Sequence, residues 1–339
     1  MTASTRALLG VALAGAAGAL AYRHSRSELP SLSGKTVFIT GGSRGLGLAL
    51  AFELAAQGCR LVLAARDAVR LSEAAADPRL QGAAVLLLPC DVRDEQKVKE
   101  CVNAAVQHFG ALDILVNNAG VIQVGPASAM KMEDYEEAVD VMYRGPLRTI
   151  MAALPHFRRQ GHGSIVNIAS IGGKVAVPHL LPYSAAKFAL VGLSEGLEIE
   201  LGRESIHVMT VVPGLMRTGS HVNAEFRGSQ AREFTWFGFS GNAPGLSISP
   251  SSAARQIVQG IRRRQREIVL SAPAKLLCGA NALAPGVVSF LREASNYLLP
   301  RPPVRPTRKL DGRSIIQQKG DLGVHVIERL GRGAVAQYQ

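Results

Sequence analysis

Aromatic residues make up only 5% of this 339-residue chain, and cysteine occurs just four times. Cys59, Cys90, Cys101 and Cys278 form no CxxC pair and show no metal-ligand spacing. That excludes a disulfide scaffold and a zinc ribbon, and no metal is expected. Acids are scarce as well: 26 Asp and Glu stand against 38 Lys and Arg, for a formal net charge of +12. Eleven of those cations, against three acids, fall between Arg262 and Arg313. No aromatic platform or binding motif accompanies the charge, so nucleic acid is not expected as a partner. A solvated basic face and attraction to anionic lipid both stay open for that segment.

What is abundant is apolar sequence, 47% of the chain, ample for a large core. The stretch TGGSRGLG at residues 40–47 organises it. Residues 35–40 (KTVFIT) are short and β-branched and predict a buried strand; residues 46–57 are helix formers, with Gly58 as a stop. Glycines on such a strand-to-helix turn let the backbone approach a pyrophosphate, which the helix N-terminus then holds. The GxxxGxG spacing alone is a moderate signal.

From Lys35 strands and helices alternate, which predicts an α/β fold with a doubly wound parallel sheet. Further strands are expected at 60–64, 84–88, 113–116, 164–168, 207–212 and 267–270. Helices are expected after Asp67, over 94–109, 133–154 and 183–203, and from Pro250. The chain thus divides into residues 1–32 (an apolar segment and linker), a single catalytic domain at 33–271, and an apolar and basic extension at 272–339. Residues 213–249 form a loop-rich insertion whose Phe226, Phe234, Trp236, Phe237 and Phe239 suit either a lid over an apolar ligand or core packing.

Three features fall at the C-terminal ends of expected strands, where open α/β sheets bind ligands. They are NNAG at 117–120, Ser170, and YSAAK at 183–187, whose i,i+4 spacing puts Tyr183 and Lys187 on one helix face. With CDV at 90–92 and PGLMRT at 213–218, the chain from 33 to 270 resembles the short-chain dehydrogenase/reductase family. The resemblance implies a seven-stranded Rossmann sheet and hydride transfer between a nicotinamide cofactor and a carbonyl or alcohol. It implies that Tyr183 is the general acid/base and that Ser170 polarises the carbonyl. Lys187 would lower the phenol's pKa and hold the nicotinamide ribose. Cofactor contacts are expected from Gly41, Ser43, Arg44, Gly45, Leu46 and Gly47, and from Asn118, Ala119 and Gly120. Asp91 and Val92 match the family's adenine contacts, and Pro213, Gly214 and Thr218 its nicotinamide contacts.

Charge predicts which dinucleotide. The second strand ends in Ala64-Ala65-Arg66 with no carboxylate, and Arg44 lies in the glycine loop. Two guanidinium groups suit a 2′-phosphate, so NADP(H) is expected; Asp67 reads as a helix cap. One departure stands out: Met142 occupies the place of a family asparagine that supports a proton relay. A catalytically weak NADP-binding regulatory or scaffolding protein is therefore the alternative to an enzyme.

Residues 7–22 carry no charge and run sixteen residues, just short of the roughly 17–25 of a membrane span. Export would part a nicotinamide enzyme from its cofactor, so an anchor is expected before a signal peptide, with the catalytic domain on the cytoplasmic side. Residues 275–299, interrupted by Gly279, Pro285 and Gly286, are not expected to span a bilayer as one helix; interfacial membrane contact is expected before packing on the domain itself. The substrate is expected to be a small, apolar carbonyl or alcohol, and a homo-oligomer is left open. His179 reads as a loop residue meeting solvent.

Overall fold

Alternation along the first strand decides the layering. In the computed structural model Val37 and Ile39 of β1 (Thr36–Thr40) face one apolar cluster, and Phe38 between them faces another. A strand that is buried on both faces reads as a continuous apolar run, and each face needs its own layer of helices. The first layer is α1 (Gly45–Ala56) with α8 (Pro250–Arg262); the second includes α3 (Glu95–Phe109) and α5 (Gly145–Gln160). The structure describes residues 29–243, 245–301, 308–318 and 321–339. Leu32–Gln339 forms one unit.

The remaining strands are β2 (Arg60–Ala65), β3 (Val85–Pro89), β4 (Ile114–Asn117), β5 (Gly163–Ile168), β6 (Ile206–Pro213) and β7 (Glu267–Leu270). They make a seven-stranded sheet in the order β7-β6-β5-β4-β1-β2-β3, and every pairing is parallel. The chain leaves β1 for β2 on one side and returns to β4 on the other. That reversal opens a crevice at the C-terminal ends of β1 and β4. This is the expected doubly wound Rossmann sheet.

The helices α2 (Ala68–Ala75) and α6 (Leu181–Leu201) fall where expected, and Asp67 caps α2 by accepting from the Arg70 backbone N–H at 3.1 Å. The helix expected at 133–154 is instead α4 (Met132–Val139) and α5, joined by a π-helical turn at Asp140–Arg144. The loop-rich insertion contains a helix, α7 (Gln230–Asn242).

Membrane attachment is corrected. Among the described residues no helix is long and apolar enough to cross a membrane, and residues 7–22 lie outside the described part. Residues 275–299 carry two short helices, α9 (Ala272–Leu283) and α10 (Pro285–Asn296). Pro285 cannot donate to the preceding turn and drives Ala284 out of helical geometry (φ −141°, ψ 64°), so the two stay separate.

The C-terminal extension is stitched onto the rest of the unit by a small ladder. Leu310–Asp311 pairs antiparallel with Glu225–Phe226, which pairs parallel with Gln123–Val124. Beside this small ladder lies a charge network. Asp134, fully buried, lies 2.5 Å from Arg227 Nε, and Lys309 reaches Asp134, Glu137 and Glu225 at 3.7, 3.2 and 2.8 Å. After α11 (Gly312–Gln317), the last helix α12 (Leu322–Tyr338) packs on α7, with Ile327 filling the space left by Gly238.

Candidate active site

The glycine turn is shaped by two positive-φ backbones that favour glycine and one close approach that excludes a Cβ. Gly41 and Gly45 adopt positive φ (+64° and +58°), and a Cβ on Gly47 would stand 2.2 Å from the Gly41 carbonyl oxygen. The turn is held from β4. Asn118 donates its side-chain amide to the Thr40 and Gly41 carbonyls at 3.0 and 3.1 Å, and Thr40 Oγ1 accepts from the Asn118 and Ala119 backbone N–H groups. Arg44, at the N-cap of α1, makes no side-chain cap. The opening turn of α1 therefore has no capping side chain competing for an anion.

Above the turn lies a cleft of about 800 Å³. Of the residues singled out in the sequence, Gly41, Ser43, Arg44, Gly45, Leu46, Arg66, Asp91, Val92, Asn118, Ala119, Gly120, Ser170, Tyr183, Lys187, Pro213, Gly214 and Thr218 all line it. Gly47 does not; it lies beneath the turn and permits its shape. Asn117, beside them in sequence, serves the scaffold: it accepts from Thr149 Oγ1 at 2.5 Å and donates to Asn167 at 2.9 Å.

Ser170, Tyr183 and Lys187 meet because two glycines let α6 close on the end of β5. A Cβ on Gly172 would sit 3.3 Å from the Tyr183 ring, and one on Gly173 would sit 2.7 Å from the Lys187 carbonyl oxygen. Ser170 Oγ accepts from the Gly172 N–H at 3.1 Å, and the Ser170 side chain lies beside the Tyr183 phenol. Lys187, 4% exposed, donates its ammonium to the Ile168 carbonyl at 2.6 Å, with Nζ 5.8 Å from the Tyr183 ring centroid.

The electrostatics differ from expectation. Burial raises the Tyr183 phenol above its ordinary pKa, and the Ser170 side chain only partly offsets that. Burial lowers Lys187 to about 8. Both groups are pushed toward their neutral forms, because the walls withdraw water from each. Lys187 spends its strongest hydrogen bond on a backbone carbonyl rather than on the phenol.

At the other end of the cleft cations converge. Arg44 is held below its usual pKa, first by burial and then by the charges of Arg70, Arg313 and Arg66. The end of β2 carries no acid to balance them, and Asp67 is engaged by Arg70 at 3.4 Å. Arg70 and Arg313 were not singled out in the sequence. Arg70 lies in the first turn of α2, just beyond Arg66, a place that could have flagged it; Arg313 comes from a distant segment with no local sign.

On the substrate side, Met142 is fully buried in an apolar cluster with Val92, Val141 and Ala186, against which Tyr183 packs. The asparagine's place is thus dry, and it lies on the π turn, a distortion common at functional sites. Trp236 and Phe237 line the cleft, whereas Phe226 and Phe234 are core residues and Phe239 is exposed. The insertion's aromatics therefore divide between wall and core. His179 does not simply meet solvent. Its Nδ1 lies 2.9 Å from Glu233, which is fully buried and also accepts from Trp236 Nε1 at 2.6 Å.

A glycine turn at a topological switch point, beside a Ser-Tyr-Lys cluster on a seven-stranded parallel sheet, defines the class: a Rossmann-like α/β fold. The family described as short chain dehydrogenase matches residues 35–227, and the chain belongs to it. A dehydrogenase/reductase SDR family protein 7-like from Anopheles gambiae is 34% identical over 71% of this chain and 76% of its own. The crystal structure of a short-chain dehydrogenase from Streptomyces avermitilis superposes with a TM-score of 0.67, at 28% identity, over 78% of this chain and 98% of that one. A metagenomic short-chain oxidoreductase solved in complex with NADP has a TM-score of 0.58 at 27% identity, over 71% and 99%.

Proposed function

We propose that this oxidoreductase uses NADP(H) to interconvert a carbonyl and an alcohol on a small, apolar substrate, in a catalytic domain at residues 33–271. The observation that carries this reading is the convergence of Ser170, Tyr183 and Lys187 on the wall of a glycine-cradled cleft. The cradle fits a dinucleotide. Its positive-φ glycines and the close approach at Gly47 leave backbone, not side chain, facing a pyrophosphate. When bound, the dinucleotide supplies or accepts the hydride.

The chain's own residues do the rest. Tyr183, kept protonated by burial, is set up to donate its proton to a carbonyl oxygen, the role that reduction needs. Ser170 would hold the same oxygen as charge develops on it. Lys187, while charged, would stabilise the phenolate left behind. Arg44 and Arg66 would take the 2′-phosphate. The solved NADP complex of a relative supports that choice. Trp236 and Phe237 would favour an apolar substrate.

The test is NADPH and NADH binding and consumption over a panel of lipophilic ketones and aldehydes. NADPH should bind at least about tenfold more tightly than NADH, and Arg66→Ala should remove about tenfold of that preference. Equal affinity for the two, or an NADH preference that survives Arg66→Ala, would overturn the cofactor assignment. Tight NADPH binding with no turnover of any carbonyl would favour a binding protein instead.

A pH dependence follows from Lys187. Its ammonium keeps its proton below about 8 and loses it above. For carbonyl reduction, kcat/KM should stay level through neutral pH and fall as pH rises through about 8. A profile with no break between pH 7 and 9 would contradict this role.

A further inference from the structure

The last helix ends inside the cleft, although it lies well beyond the part of the chain that matches the family. Its seat is built on both sides. Gly331 of α12 leaves room for the His221 ring, where a Cβ would stand 2.5 Å from the ring carbon. Gly219, at φ +71°, makes room for Val335 and Gln339 at 2.9 and 3.0 Å. Tyr338, 4% exposed, joins the core cluster that holds α1. The final turn is thus fixed by packing, where helix ends otherwise fray.

That packing aims Gln339 at three loops at once. Its Nε2 donates to the Thr218 carbonyl at 2.6 Å, and its Oε1 accepts from Asn223 Nδ2 at 2.5 Å. Its backbone oxygen accepts from Arg70 Nη1 at 2.7 Å. Arg44 completes the circuit by donating to Asn223 Oδ1 at 2.7 Å. The chain of contacts runs from the glycine turn, through Asn223 and Gln339, to Thr218 on one side and α2 on the other. Thr218, Asn223, Arg44, Arg70 and Gln339 all line the cleft.

We propose that the end of α12 is a clasp on the dinucleotide site. Gln339 ties the loop after β6 to the first turns of α1 and α2, and so closes the path by which a bound dinucleotide leaves. The idea rests on the NADP(H) reading above. It gives the extension a role: the ladder at Leu310–Asp311 and the α7–α12 contact bring the last helix to this place. Opening the clasp breaks the two side-chain hydrogen bonds of Gln339 and frees Arg70, while the packing of Tyr338 keeps the helix nearby.

The experiment measures NADPH release by stopped-flow fluorescence, with excess NADP as the displacing ligand, for the full chain and for Gln339→Ala. Hydrogen exchange of the amides at residues 332–339 is measured on the full chain with and without NADPH. Release should be about tenfold faster in Gln339→Ala, from the loss of two hydrogen bonds. NADPH should slow exchange over residues 332–339 in the unmutated protein. An unchanged release rate, or no NADPH-dependent protection, overturns the clasp while leaving the cofactor assignment standing. Faster NADPH association with unchanged release would make Gln339 a plug and also overturns it. A full chain that binds no NADPH removes the cofactor reading, and the clasp falls with it.

Discussion

Tyr183→Phe is expected to lower kcat/KM for carbonyl reduction by about a thousandfold, within the range that a positioned general acid contributes. The substitution removes one oxygen and leaves the ring, which packs between the cluster of Met142 and that of Phe226. The ring's contacts survive, so NADPH affinity should stay within about threefold and the melting temperature should barely move. The lost group is the phenol that burial keeps protonated beside Ser170 at the cleft wall. Neither Ser170, whose hydroxyl has a far higher pKa, nor Lys187, which is tied to Ile168, can replace it as donor. Steady-state rates with the best substrate of the panel decide the matter. Retention of more than a tenth of the activity would remove Tyr183 from the acid role.

The second large effect is on stability. Arg227→Ala should cost about 3–5 kcal/mol and lower the unfolding midpoint by on the order of 10 °C. Asp134 is fully buried, and Arg227 contacts both of its oxygens: Nε lies 2.5 Å from Oδ2 and Nη2 donates to Oδ1 at 3.1 Å. Deleting the guanidinium leaves a buried carboxylate with Lys309, at 3.7 Å, as its counter-charge among the described residues. Lys309→Ala should cost far less, on the order of 1 kcal/mol, because that ammonium is partly exposed, its nearer partners Glu137 and Glu225 keep access to water, and Asp134 keeps Arg227. Thermal unfolding of the two variants side by side tests the ordering. Comparable losses would mean that the network is held by its periphery and not by the buried pair. The network sits beside the ladder at Glu225–Phe226, so Arg227→Ala should also loosen the substrate side of the cleft.

Much of the site was legible because its signals are local. The glycine turn, NNAG, Ser170 and the Tyr183–Lys187 pair each sit at the end of a strand that its own composition announces. The order of those strands follows from alternation with helices. Once the sheet forms, their C-terminal ends meet, which is why so many of the named residues line one cleft. The cap at Asp67 was likewise readable from its place before the helix.

Other features depend on how far the chain travels between partners. His179 looked like a surface residue because Glu233, its buried partner, lies 54 residues away. Arg70 meets the Gln339 carbonyl across 269 residues. The break at Pro285 within the apolar residues 275–299 was, by contrast, readable in the sequence, because proline acts on the turn it stands in.

By itself the sequence determined the alternating strands and helices, the glycine turn between β1 and α1, and the placing of Ser170, Tyr183 and Lys187 beside the end of one strand. All of these follow from backbone preferences and spacing within a few residues. The tertiary structure alone decided that Tyr183 and Lys187 are both driven toward neutrality, because desolvation depends on what surrounds a group. It alone decided that Met142 sits in a dry pocket, and that Arg44, Arg66 and Arg70 line one end of the cleft with the charge of Arg313 acting on Arg44. It also brought the last residue of the chain to the first glycine turn. No periodicity encodes that contact; it comes from the packing of α12 on α7, where glycine gaps let two distant helices close.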